Sequence, residues 1–357
     1  MSAASLADPR PLAGTRRPNA RVVPVALLVV VLALAAVGIW RYGPFTPAPF
    51  LEYPMLVSGD IPAAVAVGPD GSIWFTIENA AAIGVLRDGS LARVPKPREN
   101  LEPLGLAVGP ANDVWFTDAI AESIGHLTAD GRLETFPAPT GITQFGRLAL
   151  APDGAVWFTD SWTNSVVRLA NGEFTAYQPS SGNANPFGVA VDPSGTVWAT
   201  LQSASRLLRI TPDGQQQELE IPTRSAGPSD VAVDSSGAVW FVELRAGKIG
   251  RFAEGRFSEF AVPSPQAGLT SLAVAADGSV WFTALREHKL VRLRDGSFVE
   301  FRLPRRDARP FGVAVDARGN VWYTDLSGWL GMLRAEEAQA SGLDPRALLP
   351  RPAPWFG

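Results

Sequence analysis

Trp74-Phe75-Thr76 is the first of seven copies of one tripeptide, and the others are Trp115-Phe116-Thr117, Trp157-Phe158-Thr159, Trp198-Ala199-Thr200, Trp240-Phe241-Val242, Trp281-Phe282-Thr283 and Trp322-Tyr323-Thr324. The tryptophans follow one another at spacings of 41, 42, 41, 42, 41 and 41 residues. A repeat of this length is typical of four-stranded propeller blades. The chain is therefore predicted to be all-β, a seven-bladed β-propeller of four-stranded blades.

Each repeat contains the sequence pattern of four strands joined by turns. The residues before each tryptophan alternate apolar and small polar side chains up to a turn such as Pro152-Asp153-Gly154. In such a turn the glycine supplies a positive φ and the aspartate bonds the local backbone. After the tryptophan come two further apolar runs, as at 124–127 and 133–137, separated by a second Asp-Gly turn. Each unit is therefore predicted to be an antiparallel meander.

The N-terminal region predicts a membrane anchor. Residues 1–21 form a basic arm without hydrophobic periodicity, and residues 22–40 contain no charge over 19 residues, enough to cross a hydrocarbon core of about 30 Å. Four arginines precede this segment, which predicts a single-pass protein of the cell membrane with a cytoplasmic N-terminus and an extracytoplasmic propeller. A signal peptide cleaved after Ala33-Leu34-Ala35 is the competing interpretation, and Arg16-Arg17 is a weaker twin-arginine signal.

The chain ends define the propeller boundaries. Residues 41–49 are a proline-rich linker, and residues 50–54 match the fourth-strand motif of the repeats although no complete repeat precedes them. The seventh unit has only three strands, so residues 50–54 are expected to complete it and close the ring, which removes exposed strand edges. The propeller is predicted to span 50–334, followed by a proline-rich tail at 335–357.

Charge argues against a nucleic-acid partner. The whole chain carries a net charge of −4, and residues 42–357 contain 26 basic and 34 acidic side chains. A surface of this sign repels phosphate backbones. The chain has no cysteine, so neither a disulfide nor a lipoprotein anchor is expected.

Two residue positions are predicted to line the mouth of the central channel. In each unit the first turn is centred four residues before the tryptophan. The residue eleven before the tryptophan and the residue three after it are therefore equally far from this turn, and they are expected to face each other on one side of the propeller. The first set is Ala63, Leu104, Gly146, Phe187, Ser229, Thr270 and Phe311. The second set is Ile77, Asp118, Asp160, Leu201, Glu243, Ala284 and Asp325.

The repeat resembles the streptogramin lyase (virginiamycin B lyase) family over all seven units. The second unit shows the family's motifs at Pro103-Leu104-Gly105-Leu106, Val114-Trp115-Phe116-Thr117-Asp118, Ile124-Gly125-His126-Leu127-Thr128 and Glu134-Thr135-Phe136-Pro137. The resemblance implies a magnesium-assisted elimination that opens a cyclic depsipeptide, with histidines in Pro-His motifs of the last two blades and nearby glutamates. Those histidine positions here hold Thr270 and Phe311, and the glutamate preceding the last one is replaced by Arg309.

Neither histidine of the chain lies at a family position. His126 falls on a third strand, where the family has arginine, and is expected on the outer surface. His288 falls in the loop after the sixth tryptophan, on the side of the channel mouth. It could contact a ligand there or be a solvated loop histidine.

Four carboxylates, Asp118, Asp160, Glu243 and Asp325, are the principal site candidates. They could hold a hard cation such as magnesium or a cationic ligand, or each could cap local backbone N–H groups, which is the favoured interpretation. Phe187, Phe311, Thr270 and His288 complete the candidate ligand-binding set.

The leading functional hypothesis is a membrane-anchored propeller that binds a small-molecule or protein ligand without the family's catalytic histidines. A carbon–oxygen lyase of the streptogramin type is the alternative, and a structural envelope component is a third. A gluconolactonase-like hydrolase ranks lower, because the inner strands offer no asparagine as metal ligand.

Overall fold

A computed structural model describes residues 48–99 and 103–339. In this part of the chain, 28 strands form seven separate four-stranded antiparallel sheets. The prediction of an all-β, seven-bladed propeller is confirmed. The predicted anchor at 22–40 lies outside the described residues and stays a prediction. No helix among the residues described is both long and apolar enough to span a bilayer.

The first six blades each consist of four consecutive strands. Blade one is β2 (Ile61–Val67), β3 (Ile73–Glu78), β4 (Ala82–Arg87) and β5 (Ser90–Pro95); blade two is β6 (Leu106–Val108), β7 (Val114–Asp118), β8 (Ser123–Leu127) and β9 (Leu133–Pro137); blade three is β10 (Phe145–Leu150), β11 (Val156–Asp160), β12 (Ser165–Ala170) and β13 (Glu173–Tyr177). Blade four is β14 (Pro186–Val191), β15 (Val197–Leu201), β16 (Arg206–Ile210) and β17 (Gln216–Glu220); blade five is β18 (Pro228–Val233), β19 (Val239–Glu243), β20 (Lys248–Ala253) and β21 (Arg256–Ala261); blade six is β22 (Leu269–Val274), β23 (Val280–Ala284), β24 (Lys289–Arg294) and β25 (Ser297–Arg302).

Blade seven joins the two ends of the propeller. It contains β26 (Pro310–Val315), β27 (Val321–Asp325) and β28 (Trp329–Leu333), and its outer strand is β1 (Phe50–Pro54). The segment expected to close the ring pairs antiparallel with β28, from Phe50 opposite Leu333 to Pro54 opposite Trp329. The first strands of neighbouring blades contact one another around the ring, including β2 with β26, and therefore line its centre.

The folded unit continues beyond residue 334, where the tail was expected to begin. Ala335–Gln339 form a short helix, α1, and Ala338 is 3% exposed within an apolar cluster that includes Trp281 and Tyr323. A 3₁₀ turn at Leu285–Glu287 precedes β24.

In four blades, the aromatic residue after the tryptophan explains a glycine on the third strand. Gly84, Gly125, Gly250 and Gly331 lie against the rings of Phe75, Phe116, Phe241 and Tyr323, where an added Cβ would stand 2.0 to 2.3 Å from a ring atom. Real Cβ contacts are not this close, so only glycine lets the ring lie flat on the neighbouring strand.

The threonine of the tripeptide joins neighbouring blades. The Thr76 hydroxyl donates to the Pro103 carbonyl at 2.6 Å, and the Thr159 hydroxyl donates to the Phe187 carbonyl at 2.6 Å. Each such bond contributes about 0.5 to 1.5 kcal/mol. Blade five has Val242 at this position and lacks the hydroxyl.

The propeller has two distinguishable faces. The turn face carries the turns between the first and second strands and between the third and fourth strands, as at 69–71 and 88–89. The connection face is opposite and carries the loops between second and third strands and the connections between blades. Strand β1 begins with Phe50 at its turn-face end, and α1 follows β28 at the same end, so both described ends of the propeller lie on the turn face.

Candidate functional site

The register at the channel mouth differs from the predicted one by one residue. In the six blades where the pairing extends this far, the residue three after the tryptophan pairs with the residue twelve before it, as in Pro228 with Glu243 and Pro310 with Asp325. The prediction of eleven was wrong because a β-bulge follows this pair in the first strand. Thr270 and Phe311 therefore lie within the bulge.

Asp160 is fully engaged by backbone and side-chain donors. It is 0% exposed, and its Oδ1 accepts the amides of Thr143 at 3.1 Å and Gln144 at 2.7 Å. Its Oδ2 accepts the Thr163 amide at 2.7 Å and also the Thr163 hydroxyl. Asp160 thus joins the two connection-face loops of blade three, which is the capping role favoured from the sequence.

Asp118 and Asp325 are also buried and held by charged partners. The Lys96 ammonium lies 2.8 Å from Asp118 Oδ2, with the lysine side chain 2% exposed. Asp325 Oδ1 accepts the Arg309 amide at 2.8 Å, and its Oδ2 binds the guanidinium of Arg305. Both carboxylates also accept local backbone amides, that of Ala121 at Asp118 and those of Arg309 and Ser327 at Asp325, as the favoured capping interpretation expects.

Glu243 differs from the other three acids. It is 0% exposed, and neither carboxylate oxygen has a hydrogen-bond partner within the described chain. Burial, and then the charge of Glu259, raise the pKa of Glu243 to about 7, whereas Lys248 acts in the opposite direction. The Lys248 ammonium instead binds Glu259 at 2.9 Å and the Thr223 hydroxyl at 2.7 Å. Glu243 is therefore a buried acid without its own counterion.

The predicted apolar and hydroxyl candidates are half-buried around the mouth. Phe187, Thr270 and Phe311 are each partly exposed. The Thr270 hydroxyl lies 2.7 Å from that of Thr283 and donates to the Phe311 carbonyl at 2.8 Å. Thr270 therefore helps to hold blade six against blade seven.

Arg147 and Asp230 occupy the channel, and sequence reasoning did not single them out. Arg147, on the first strand of blade three, donates to the Thr270 carbonyl at 3.2 Å and lies over the Phe311 ring at 5.8 Å. Its guanidinium is 3.6 Å from Asp230 Oδ2, which also accepts the Leu272 amide at 3.0 Å. The hydrogen bond from the Leu272 amide to Asp230 connects blade five to blade six. In blade five the threonine that makes this connection elsewhere is replaced by Val242, which has no hydroxyl. The Arg147 side chain thus reaches across the ring from blade three to blades five and six.

A signal for this pair was present in the sequence. The residue ten before each tryptophan is alanine, glycine or serine in five units, and arginine or aspartate only at 147 and 230. Charged residues at a position otherwise filled by small ones indicate that the two side chains share the central space.

Both histidines are engaged away from the family positions. His126 stacks on Trp115 at 3.8 Å between ring centroids, and its ring nitrogens lie 3.0 Å from Asp113 and 3.2 Å from Glu134. It takes the place of the arginines that lie over the tryptophans in other blades. His288 Nδ1 donates to the Ala308 carbonyl on the connection face.

The described carboxylates do not fit a magnesium site. In the part of the chain the structure describes, no three His, Cys, Asp or Glu residues are grouped to hold a metal ion. Asp118, Asp160, Glu243 and Asp325 belong to four different blades, and three of them are occupied by N–H or cationic donors.

The fold, the blade motif and the closure by an N-terminal strand define a seven-bladed propeller that resembles the streptogramin lyases. Residues 46–202 match the model of the virginiamycin B lyase family. A virginiamycin B lyase of Nocardia farcinica (strain IFM 10152) is 35% identical over 195 residues, which cover 53% of this chain and 65%, less than two thirds, of that relative. The resemblance predicted from the repeats is confirmed.

Solved structures extend the likeness over the whole propeller. A streptogramin B lyase structure superposes with a TM-score of 0.75 at 27% identity, covering 79% of this chain and 96% of that one. A catalytically inactive histidine-to-alanine variant of virginiamycin B lyase from Staphylococcus aureus, solved with quinupristin, gives 0.75 at 26% identity, covering 79% and 98%. The chain is thus a virginiamycin B lyase-like propeller.

Proposed function

We propose that this propeller is a binding scaffold that does not perform the family's elimination reaction. The observation that carries the proposal is the state of the two positions where the resemblance places catalytic histidines. Thr270 and Phe311 stand there, and neither side chain can accept a proton at neutral pH as an imidazole does. The loss of one positioned general base typically costs a factor of about 10² to 10⁴ in rate.

The surroundings of these positions support the same proposal. The Thr270 hydroxyl is used within the ring, and Arg147 places a guanidinium over Phe311. A cation at this point disfavours protonation of any neighbouring base. His288 binds the Ala308 carbonyl, and Arg309 replaces the acidic residue that the resemblance implies.

The test uses the reaction of the relatives. The purified full-length protein, in a neutral detergent, is incubated with quinupristin and magnesium, and ring opening is followed by mass spectrometry beside the Staphylococcus aureus enzyme. We expect opening at least about 10⁴-fold slower than with that enzyme, since two base positions are empty. Opening at a comparable rate would refute the proposal and establish the lyase alternative.

We further propose that the scaffold is displayed outside the cytoplasm on an uncleaved N-terminal anchor. The support is the uncharged segment 22–40 with four arginines before it. Protease added to intact cells, or to spheroplasts where an outer membrane is present, should degrade the propeller. Release of a soluble protein that begins after Ala35 would contradict the anchor and favour the signal peptide.

A further inference from the structure

The connection face of blades five to seven carries an unusual concentration of arginine. Its six loops, at 221–227, 244–247, 262–268, 285–288, 303–309 and 326–328, contain six arginines, two acids and no lysine, a net charge of +4. The complete chain has a net charge of −4. Positive charge is therefore gathered in one sector of one face.

Five of these arginines are exposed and form no ion pair with a described carboxylate: Arg224, Arg245, Arg286, Arg306 and Arg309. The sixth, Arg305, is committed to Asp325 and Glu52. Of the two acids, Glu287 is paired with Lys289 at 2.8 Å, which leaves Asp307 as the exposed acid of these loops. The five guanidinium groups thus face solvent with little local compensation.

Arg245 and Arg286 are held in equivalent positions on adjacent blades. Their amides donate to the Ala226 and Ala267 carbonyls at 3.0 and 2.8 Å. Each side chain then lies over a glycine: a Cβ on Gly227 would meet Arg245 Cγ at 2.7 Å, and one on Gly268 would meet Arg286 Cγ at 3.0 Å. The side-chain stems are therefore pre-positioned, which lowers the entropy cost of binding through the guanidinium forks.

Exposed apolar side chains lie on the same face. The large hydrophobic residues exposed in the described chain are all in connection-face loops: Leu56, Val57, Ile120, Trp162 and Leu244. Trp162 is the most exposed of them, at 68%.

We infer that the connection face binds an acidic segment of a partner protein, whose carboxylates pair with the arginines of blades five to seven. This inference rests on the proposed scaffold function and names the class of its ligand. Arginine forks match carboxylates in a bidentate geometry. A membrane surface is less favoured, because the most exposed apolar tip, Trp162, belongs to blade three, and only Leu244 directly precedes one of the arginines in the chain, whereas lipid-binding surfaces place the two together.

The test measures binding of a fluorescein-labelled peptide, (Glu-Glu-Leu-Gly)₃, to the full-length protein in neutral detergent by anisotropy. The uncharged analogue (Gln-Gln-Leu-Gly)₃ and vesicles with and without phosphatidylglycerol are measured beside it. We expect binding of the acidic peptide that weakens when salt is raised from 50 to 300 mM. Arg245→Gln with Arg286→Gln should weaken it about tenfold, about threefold for each arginine.

The matched control is Arg256→Gln with Arg318→Gln, which removes the same charge from two exposed positions on the turn face. It should change the affinity less than twofold. Equal losses in both double variants, equal binding of the neutral peptide, no binding of the acidic peptide, or variant-sensitive binding of anionic vesicles alone would overturn the inference. Each of these outcomes is independent of quinupristin opening, which tests the proposed function separately.

Discussion

Replacing the buried Glu243 by glutamine should stabilise the protein above neutral pH and leave its stability nearly unchanged near pH 4. The carboxyl is 0% exposed, its oxygens have no partner in the described chain, and its pKa is raised to about 7 from 4.5. The folded state therefore retains the proton more strongly than the unfolded state. Stability from this group is present below pH 4.5 and is lost as the pH rises through 7.

The size of the effect follows from the difference between the pKa of Glu243 in the folded and in the unfolded protein. A difference of about 2.5 pKa units at 1.36 kcal/mol each gives about 3 kcal/mol of destabilisation at pH 8 or above. For a propeller of this size the corresponding change in melting temperature is about 5 °C. Glutamine has nearly the same shape and carries no charge at any pH, so Glu243→Gln should remove this loss.

The assay is thermal unfolding from pH 4 to pH 8 by circular dichroism. As the pH rises across this range, the melting temperature of the unmodified protein should fall by about 5 °C more than that of Glu243→Gln. Asp160→Asn is the matched control: it changes a fully buried acid at the equivalent position of blade three, but one that accepts four hydrogen bonds, and should destabilise the protein at every pH. Parallel curves for the unmodified protein and Glu243→Gln would refute the reasoning, because they would show that this carboxyl does not titrate in that interval.

Three further predictions concern the ring itself. Deleting residues 1–48 should leave a folded propeller, whereas deleting 1–54 should remove β1, expose β28 and cause a lower melting temperature or aggregation, measurable by light scattering during heating. Gly250→Ala should cost about 1 to 3 kcal/mol, or more, in chemical denaturation, because the new methyl group would overlap the ring 2.1 Å away; an unchanged midpoint would contradict the packing described. Arg147→Met should destabilise by about 3 to 5 kcal/mol by leaving Asp230 without its cation, and adding Asp230→Asn should recover part of the loss; strictly additive losses would contradict a shared interaction.

The tryptophan period was sufficient to predict the number of blades and the strand that closes them. Each residue of the tripeptide meets a separate structural need. The tryptophan places its indole between blades, the aromatic residue lays its ring over a third-strand glycine, and the threonine donates a hydrogen bond to the next blade. The tryptophan is present in every blade and the other two needs recur in most blades, so they leave a periodic trace in the sequence.

The candidate site was less predictable, for physical reasons visible at single residues. The bulge before Val231 adds one residue to the first strand without changing the repeat length, so counting from Trp240 placed the mouth one position away. The contact of Arg147 with Asp230 joins blade three to blade five across the ring; the repeat marks both residues as unusual at their position, but it does not show that their side chains meet. The different surroundings of Glu243 and Asp160 depend on which donors the neighbouring loops present, which also lies outside the repeat.

The pairing of β1 with β28 sets the order in which this protein can be completed. Phe50 reaches its partner Leu333 only after about 280 further residues have been synthesised. Until then blade seven lacks its outer strand, and β1 exists as an unpaired segment at the other end of the chain. A nascent chain can stack blades one after another from the N-terminal side, but the ring stays open until its last strand has been made. Any loss of the final blade would therefore release the first strand as well, so the two ends of the propeller can only be stable together.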